Sequence, residues 1–158
     1  MAQQDLERPG RDKELEEQAS IIKLSMHTLK DHYGLNPGKY RKPVRSIGYQ
    51  LGLELAKMLP TESVRDVDSV VKDLSSFWMK YQIGEMFWVE RENETLLGIQ
   101  LCSDCIGRGA GYTTCPFKEG LLEAVLETKL GNRYHVGEIE CCGTEAPNCV
   151  FKIEPIPD

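Results

Sequence analysis

The sequence lacks long apolar runs and an excess of positive charge. No apolar stretch is long enough to span a bilayer, and the N-terminal segment MAQQDLERPGRDKELEEQ contains no apolar signal core. We therefore expect no membrane span and a cytoplasmic location, where thiols stay reduced. The formal net charge of −6 argues against nucleic acid as a direct partner.

Catalytic and nucleotide-binding motifs are also missing. The glycines of Gly107-Arg108-Gly109-Ala110-Gly111 lack the strand before them, the helix after them and the Lys-Ser/Thr ending of a phosphate loop. No Ser-His-Asp set or paired carboxylates stand out, and the three histidines do not fall at ligand spacing with the cysteines. These absences favour a non-catalytic function.

Cysteine, in contrast, is well represented, with six residues. In a reducing compartment this number points to metal or redox chemistry before disulfides. Cys115, Glu138, Cys141 and Cys149 follow the spacing C-x22-E-x2-C-x7-C. Cys115 adjoins the start of a predicted helix, where the helix dipole favours thiolate, and Cys141 and Cys149 flank the mouth of a predicted hairpin. Three thiols and one carboxylate could complete a tetrahedral zinc shell.

The spacing of Glu138 and Cys141 raises a geometric objection to this site. In a regular strand the two residues point to opposite faces, so both can bind one metal only if the strand bends or ends near Glu140. The alternative is that Glu138 is a surface residue and that the three cysteines are buried apolar groups.

Cys102 and Cys105 form a second feature, a CxxC pair at the end of a predicted strand. Such a pair can be half of a zinc site, a redox couple or a chance occurrence. Cys142 adjoins a proposed ligand and is interpreted as a bystander. If these three cysteines do not bind metal, they are the candidates for reversible disulfide chemistry.

The hydrophobic pattern predicts a mobile tail over residues 1–12 and one domain over residues 13–158. The predicted fold is α+β, in the order ααα-ββ-α-ββ, with helices packed on a four-stranded antiparallel sheet. The predicted elements are helices from about Lys13 to Tyr33, after Pro43 and from Thr61 or Ser63, strands Glu85–Arg91 and Glu94–Leu101, a loop over 102–114, a helix Pro116–Leu130 capped by Thr114 and Gly131, and strands Arg133–Glu140 and Asn148–Ile153.

Two local patterns in the first half have more than one interpretation. The basic run Lys39-Tyr40-Arg41-Lys42 with Arg45 is interpreted as a solvated loop before a helix. Gly48, Gly52 and Ala56 recur every fourth residue and form a ridge that another backbone can approach closely. This ridge fits tight packing within one subunit or a helix contact across a dimer.

An aromatic cluster spans the end of the third helix and the first strand. Its usual meaning is core, and an apolar ligand pocket between helices and sheet would use the same residues. The candidate pocket residues are Phe77, Trp78, Phe87, Trp88 and, from the glycine-rich loop, Tyr112.

The C-terminal half resembles the 4-vinyl reductase domain family. The residues that carry the resemblance are Cys102, then Cys115-Pro-Phe-Lys-Glu-Gly120-Leu-Leu, Gly131-Asn-Arg, Val136-Gly-Glu138-Ile-Glu-Cys141 and Cys149-Val-Phe151-Lys-Ile153. The combination is specific, although no single piece is. The N-terminal half fits the family's helical architecture without a diagnostic motif.

The resemblance implies an α+β fold like that of TRAPP-type trafficking subunits and a homodimer. It also implies a structural zinc held by Cys115, Glu138, Cys141 and Cys149, beside an apolar ligand pocket. Standalone members are described as hydrocarbon-binding proteins, and larger members are regulators that sense aromatic compounds. This sequence shows neither an ATPase domain nor a DNA-binding helix pair, so another protein would have to read the signal.

Three functions follow from the sequence, in order of preference. The first is a zinc-containing, non-catalytic domain that binds or senses an apolar or aromatic molecule. The second is a thiol-based redox sensor that uses Cys102 and Cys105. The third, which the family name implies, is an accessory protein or reductase in tetrapyrrole vinyl-group metabolism, and no flavin or nicotinamide motif supports it.

Overall fold

A computed structural model describes residues 9–60, 66–100, 102 and 115–158. Its elements follow the predicted order ααα-ββ-α-ββ, and the α+β fold class is confirmed. The helices are α1 Pro9–Leu35, α2 Pro37–Met58, α3 Val67–Lys80 and α4 Pro116–Leu130, and the strands are β1 Glu85–Arg91, β2 Glu94–Gln100, β3 Tyr134–Glu140 and β4 Cys149–Pro155.

The four strands form one antiparallel sheet in the order β1-β2-β4-β3. Alternate residues of the inner strands, such as Leu97 and Ile99 of β2, join a core that also contains residues from all four helices. The sheet and the helices therefore share one hydrophobic core. Because β3 and β4 pair directly, the start of β4 lies beside the end of β3, and this juxtaposition forms the candidate site.

Helices α2 and α4 cross at very short range because glycines face each other. A Cβ atom added at Gly48 would overlap the carbonyl of Phe117, and one added at Gly120 would overlap the carbonyl of Arg45. The Gly48-Gly52-Ala56 ridge therefore packs against α4 of the same chain, as the first of its two interpretations predicted. This crossing fixes the start of α4 relative to α2.

Three predicted helix starts differ from the structure. Helix α1 begins at Pro9, so residues 9–12 of the predicted tail are helical, and residues 1–8 lie outside the described residues. Pro43 does not begin α2. Asn36 caps that helix by accepting a hydrogen bond from Lys39 N at 3.0 Å, and Pro43 lies inside it. Pro37 occupies the first turn, where a missing N–H costs nothing, which explains why α2 starts there.

Helix α3 is capped by Asp66 and not by Thr61 or Ser63, which lie outside the described residues. The Asp66 carboxylate accepts from Ser69 N at 2.9 Å, and Ser69 Oγ accepts from Asp66 N at 3.2 Å, which completes a capping box. The hairpin at Glu92-Asn93 is confirmed, with Asn93 at φ 60°. Helix α4 matches its predicted bounds and ends at Gly131, where φ is 76°.

Candidate metal centre

Four side chains meet where α4 begins and β3 and β4 join. Cys115 is the N-cap residue of α4, Glu138 lies in β3, Cys141 follows β3, and Cys149 begins β4. One ligand atom from each lies within 4.8 Å of the other three, so this group could hold a metal ion. The structure thus brings together all four residues that the sequence predicted as ligands.

The cluster is compact and almost shielded from solvent. Cys115 Sγ lies 3.8 Å from Cys149 Sγ, which lies 4.0 Å from Cys141 Sγ. The three cysteines are at most 1 % exposed and Glu138 is 9 % exposed. Burial on this scale indicates that the four groups interact with each other more than with water.

A bulge in β3 resolves the predicted conflict between Glu138 and Cys141. Glu138 pairs with Phe151 and Glu140 pairs with the next residue, Val150, so Ile139 is an extra residue in the ladder. The insertion changes the alternation of the strand, and β3 ends at Glu140. The sequence analysis placed this irregularity at Cys141-Cys142-Gly143, where the structure instead has a short 3-10 turn over Cys142–Thr144.

The Glu138 carboxyl group is held by the start of α4. Its Oε2 accepts a hydrogen bond from Cys115 N at 3.1 Å, whereas its Oε1 is buried and has no hydrogen-bond partner within the described part of the chain. Burial, reinforced by the nearby Cys141, raises the pKa of Glu138 to about 8. An unpaired, desolvated carboxyl oxygen beside three thiols has the character of a metal ligand that is protonated when no metal is bound.

A second layer of charged residues fixes the backbone of Glu138. Glu119, one turn into α4 and 1 % exposed, accepts a hydrogen bond from Glu138 N at 2.9 Å. Its carboxylate also forms ion pairs with Arg41 at 2.6 Å and Arg45 at 2.7 Å. Arg45 also contacts Glu123 and donates to Val136 O at 3.1 Å.

This network connects α2, α4 and β3 at the candidate metal site. The interpretation of Arg41 and Arg45 as part of a solvated loop is therefore wrong, because both lie in α2 and pair with acids of α4. The sequence reasoning missed Glu119 and Arg45 as site residues. The available signal was Glu119, a charged residue one turn after a candidate ligand in a helix whose first residues are all buried.

Two further cysteines adjoin the cluster at opposite ends. Cys102 Sγ lies 3.7 Å from Cys115 Sγ and accepts a hydrogen bond from Lys118 Nζ at 3.0 Å. Cys142 Sγ lies 4.0 Å from Cys149 Sγ. Cys105, the predicted redox partner of Cys102, lies outside the described residues, and so does the predicted cap Thr114.

The predicted pocket residues divide into two groups. Phe77 and Trp78 are 4 % and 0 % exposed and belong to the core. Trp88 is 39 % exposed, and its Nε1 donates to Asp68 at 2.7 Å. Tyr112 lies outside the described residues. The structure therefore separates buried aromatic side chains in α3 from an accessible one in β1.

Two grooves meet at Trp88, between α3 and the β1–β2 hairpin. The larger has a volume of about 840 Å³ and the smaller about 270 Å³. Val67, Val89 and Leu96 contribute apolar surface to the larger groove, and Phe87 lines the smaller one. Both grooves are large enough for a small molecule, and they place Phe87 and Trp88 where a ligand could contact them.

Solved structures define the class of fold. The chain is similar to the phenol-responsive sensory domain of the transcription activator PoxR, with a TM-score of 0.60 and 15 % identity over 87 % of this chain and 74 % of that chain. It is also similar to a trafficking protein particle complex subunit 3 from Naegleria fowleri, with a TM-score of 0.59 and 13 % identity over 92 % and 97 % of the two chains. The fold is thus one that sensory domains and trafficking subunits share.

Sequence comparison identifies the family. Residues 98–155 match the 4-vinyl reductase domain, and this segment contains all four residues of the cluster. A vinyl-4-reductase family protein from Methanocaldococcus jannaschii has a similar structure, with a TM-score of 0.53 and 18 % identity over 99 % of both chains. The chain belongs to the 4-vinyl reductase domain family, as the resemblance predicted.

A curated relative supports this assignment. An uncharacterized protein of the same archaeon is 30 % identical over 114 residues, which cover 70 % of this chain. The chain spans 65 % of the length of that relative, just under two thirds.

Proposed function

We propose that the chain is a zinc-containing domain that binds or senses a small apolar molecule. The observation that carries the zinc proposal is the buried cluster of Cys115, Glu138, Cys141 and Cys149. Two thiolates bound at about 2.3 Å to one tetrahedral zinc lie about 3.8 Å apart. The Sγ separations of 3.8 Å and 4.0 Å agree with that value.

The zinc has a structural role in this proposal. All four coordination positions are filled by protein groups, so no open position remains for a substrate. The ligands come from the start of α4 and from both strands of the β3–β4 hairpin. The ion would hold these elements together, in addition to the hydrogen bond from Cys115 N to Glu138.

Metal analysis of matched variants tests the zinc proposal. We expect one zinc per chain in protein purified without added metal, and its loss in Cys149→Ser. Cys142→Ser is the control, because Cys142 neighbours the cluster but is not part of the four-residue set. Native mass spectrometry would report the bound metal directly. Wild-type protein without zinc, or equal zinc in both variants, would refute the proposal.

The ligand site is proposed at the grooves around Trp88. Their position between α3 and the hairpin supports this, since ligand sites are concave and mostly apolar with a few polar groups. The fold similarity to a phenol-responsive sensory domain and to a trafficking subunit covalently bound to palmitic acid adds support by analogy. Tyr112 remains a proposed contact, and Phe77 and Trp78 would support the groove from the core.

Binding of phenol and palmitate, the molecules named for those two proteins, provides a first ligand test. Calorimetric titration should detect binding of at least one of them to the wild type. Trp88→Ala should weaken binding about tenfold, because it removes a large apolar face. Trp88→Phe, which keeps an aromatic ring and loses the N–H that contacts Asp68, should retain most of the affinity. Unchanged affinity in Trp88→Ala would exclude these grooves as the site.

A homodimer is proposed through α1. Ile21 and Leu24, one helical turn apart, are 47 % and 67 % exposed, and a second copy of the chain would cover them. Light scattering should give twice the chain mass for the wild type and the single-chain mass for Leu24→Glu. A monomeric wild type would contradict this proposal. A separate regulatory protein would then read the state of the bound domain.

Helices of the described residues include none that is long and apolar enough to cross a membrane. A cytoplasmic location remains a prediction. The redox pair Cys102–Cys105 and a role in tetrapyrrole metabolism also remain hypotheses, and no contact among the described residues favours the latter.

A further inference from the structure

Five thiols form a continuous chain of contacts through the candidate metal centre. The order is Cys102, Cys115, Cys149 and then both Cys141 and Cys142, with successive Sγ separations of 3.7, 3.8, 4.0 and 4.0 Å. The metal set uses three of these thiols. Two thiols that are not ligands therefore each lie in contact with a ligand thiol.

The two extra thiols differ in their surroundings. Cys102 is 0 % exposed and lies against Lys118 Nζ, which is itself 0 % exposed. Cys142 is half-buried and begins the 3-10 turn Cys142–Thr144, at the mouth of the β3–β4 hairpin. A small oxidant in solvent can therefore reach Cys142 before it reaches Cys102, and the oxidation of thiols follows their access to the oxidant.

We propose that Cys142 is a peroxide-reactive thiol that controls the metal centre by forming a disulfide with Cys149. This inference rests on the proposed zinc site, and it names Cys142 as the oxidised residue and Cys149 as the resolving residue. It differs from the pair predicted from the sequence, Cys102 and Cys105, because the measured neighbour of Cys149 is Cys142.

The reaction has two steps. Hydrogen peroxide oxidises the Cys142 thiol to a sulfenic acid and is reduced to one water. The Cys149 sulfur then attacks the Cys142 sulfur, the S–S bond forms, the S–O bond breaks, and the leaving hydroxide takes a proton to become a second water. Two thiols and one peroxide thus give one disulfide and two waters.

Disulfide formation removes a metal ligand. The two sulfur atoms must approach from 4.0 Å to about 2.05 Å, which turns the Cys149 sulfur away from Cys115 and Cys141. The centre then keeps Cys115, Glu138 and Cys141, one ligand short of a closed shell, and the zinc leaves. A covalent link between Cys142 and Cys149 replaces the metal at the hairpin mouth, and a thiol reductant with zinc restores the original centre.

Peroxide titration of the purified full chain tests the inference. Zinc release is followed with a colorimetric chelator, and the disulfide is identified by mass spectrometry after cleavage at glutamate under non-reducing conditions. We expect wild-type protein to release its zinc and to link peptide 141–145 to peptide 146–154. Fragmentation between Cys141 and Cys142 should assign the link to Cys142. Cys142→Ser should retain zinc under the same peroxide, whereas Cys102→Ser should release it as the wild type does.

Several results would overturn the inference. Zinc release from Cys142→Ser at the wild-type rate would show that Cys142 does not control the metal, and a link between Cys102 and Cys115 would assign the reaction to the other end of the cluster. Protein isolated without zinc would refute the proposed function instead. Peptide mapping would still decide the thiol step in that case, because the Cys142–Cys149 link either forms in peroxide or does not.

Discussion

Glu119 connects the candidate metal centre to the rest of the fold, and the substitution Glu119→Gln tests that connection. Its carboxylate is 1 % exposed, accepts from Glu138 N and pairs with Arg41 and Arg45. Glutamine keeps an oxygen that can accept from Glu138 N but loses the negative charge opposite two guanidinium groups. The substitution therefore isolates the charge from the shape of the side chain.

The expected loss of stability follows from the exposure of the partners. Each hydrogen bond to a charged group contributes about 1.5–3 kcal/mol in a buried setting. The Arg41 and Arg45 side chains are 38 % and 25 % exposed, and Arg45 keeps Glu123, so solvent and the second acid reduce the loss. We expect about 2 kcal/mol, which lowers the melting temperature of a domain of this size by about 4–8 °C.

Zinc affinity provides the second readout. Residues that orient a metal ligand typically change metal affinity by about 10–100-fold when substituted, and we expect about tenfold for Glu119→Gln. Glu123→Gln is the matched control, because Glu123 pairs with the same Arg45 and accepts from Val136 N but does not contact Glu138. It should lower the melting temperature while leaving zinc affinity near that of the wild type. Equal zinc affinities in the two variants, or an unchanged melting temperature in Glu119→Gln, would refute this reasoning.

Two further substitutions test the packing and the charge balance of the fold. Gly48→Ala should destabilise the domain by about 3 kcal/mol or more in denaturant unfolding, because its methyl group would overlap Phe117 O, whereas Gly10→Ala, with open space around it, should leave stability unchanged or slightly higher. Burial raises the pKa of Asp73, so its ionisation disfavours folding above its unfolded pKa. Asp73→Asn should therefore raise the melting temperature at neutral pH, and the gain should vanish as the pH falls below about 4. A gain that persists in acid would contradict this assignment.

Local sequence signals predicted the C-terminal half of the fold well. Helix α4 has Pro116 in its first turn and Gly131 at its end, and both act through the backbone of a single residue. Helix α2 was harder to place, because Pro43 has the same signature as a first-turn proline but lies inside the helix. The cap at Asn36 and the close crossing with α4 outweigh the hydrogen bond that Pro43 cannot make.

The metal cluster was predictable because its ligand types and spacing are recorded in the sequence itself. The bulge at Ile139 was not, since it depends on how β3 pairs with β4. The pairing of Arg41 with Glu119 joins residues far apart in the sequence, and no local pattern indicates it. The contact between Cys142 and Cys149 likewise emerges only when the hairpin closes, which explains why Cys142 was interpreted as a bystander.

X-ray absorption at the zinc edge, measured on full-length protein purified without added metal, tests the central claim most directly. The account predicts one zinc per chain, with three sulfur ligands at about 2.3 Å and one oxygen ligand at about 2.0–2.2 Å. Glu138→Gln should remove or alter the oxygen contribution while Cys102→Ser leaves the spectrum unchanged. A shell of four sulfurs, a shell without sulfur, or the absence of zinc would contradict the assignment of Cys115, Glu138, Cys141 and Cys149 as the ligands.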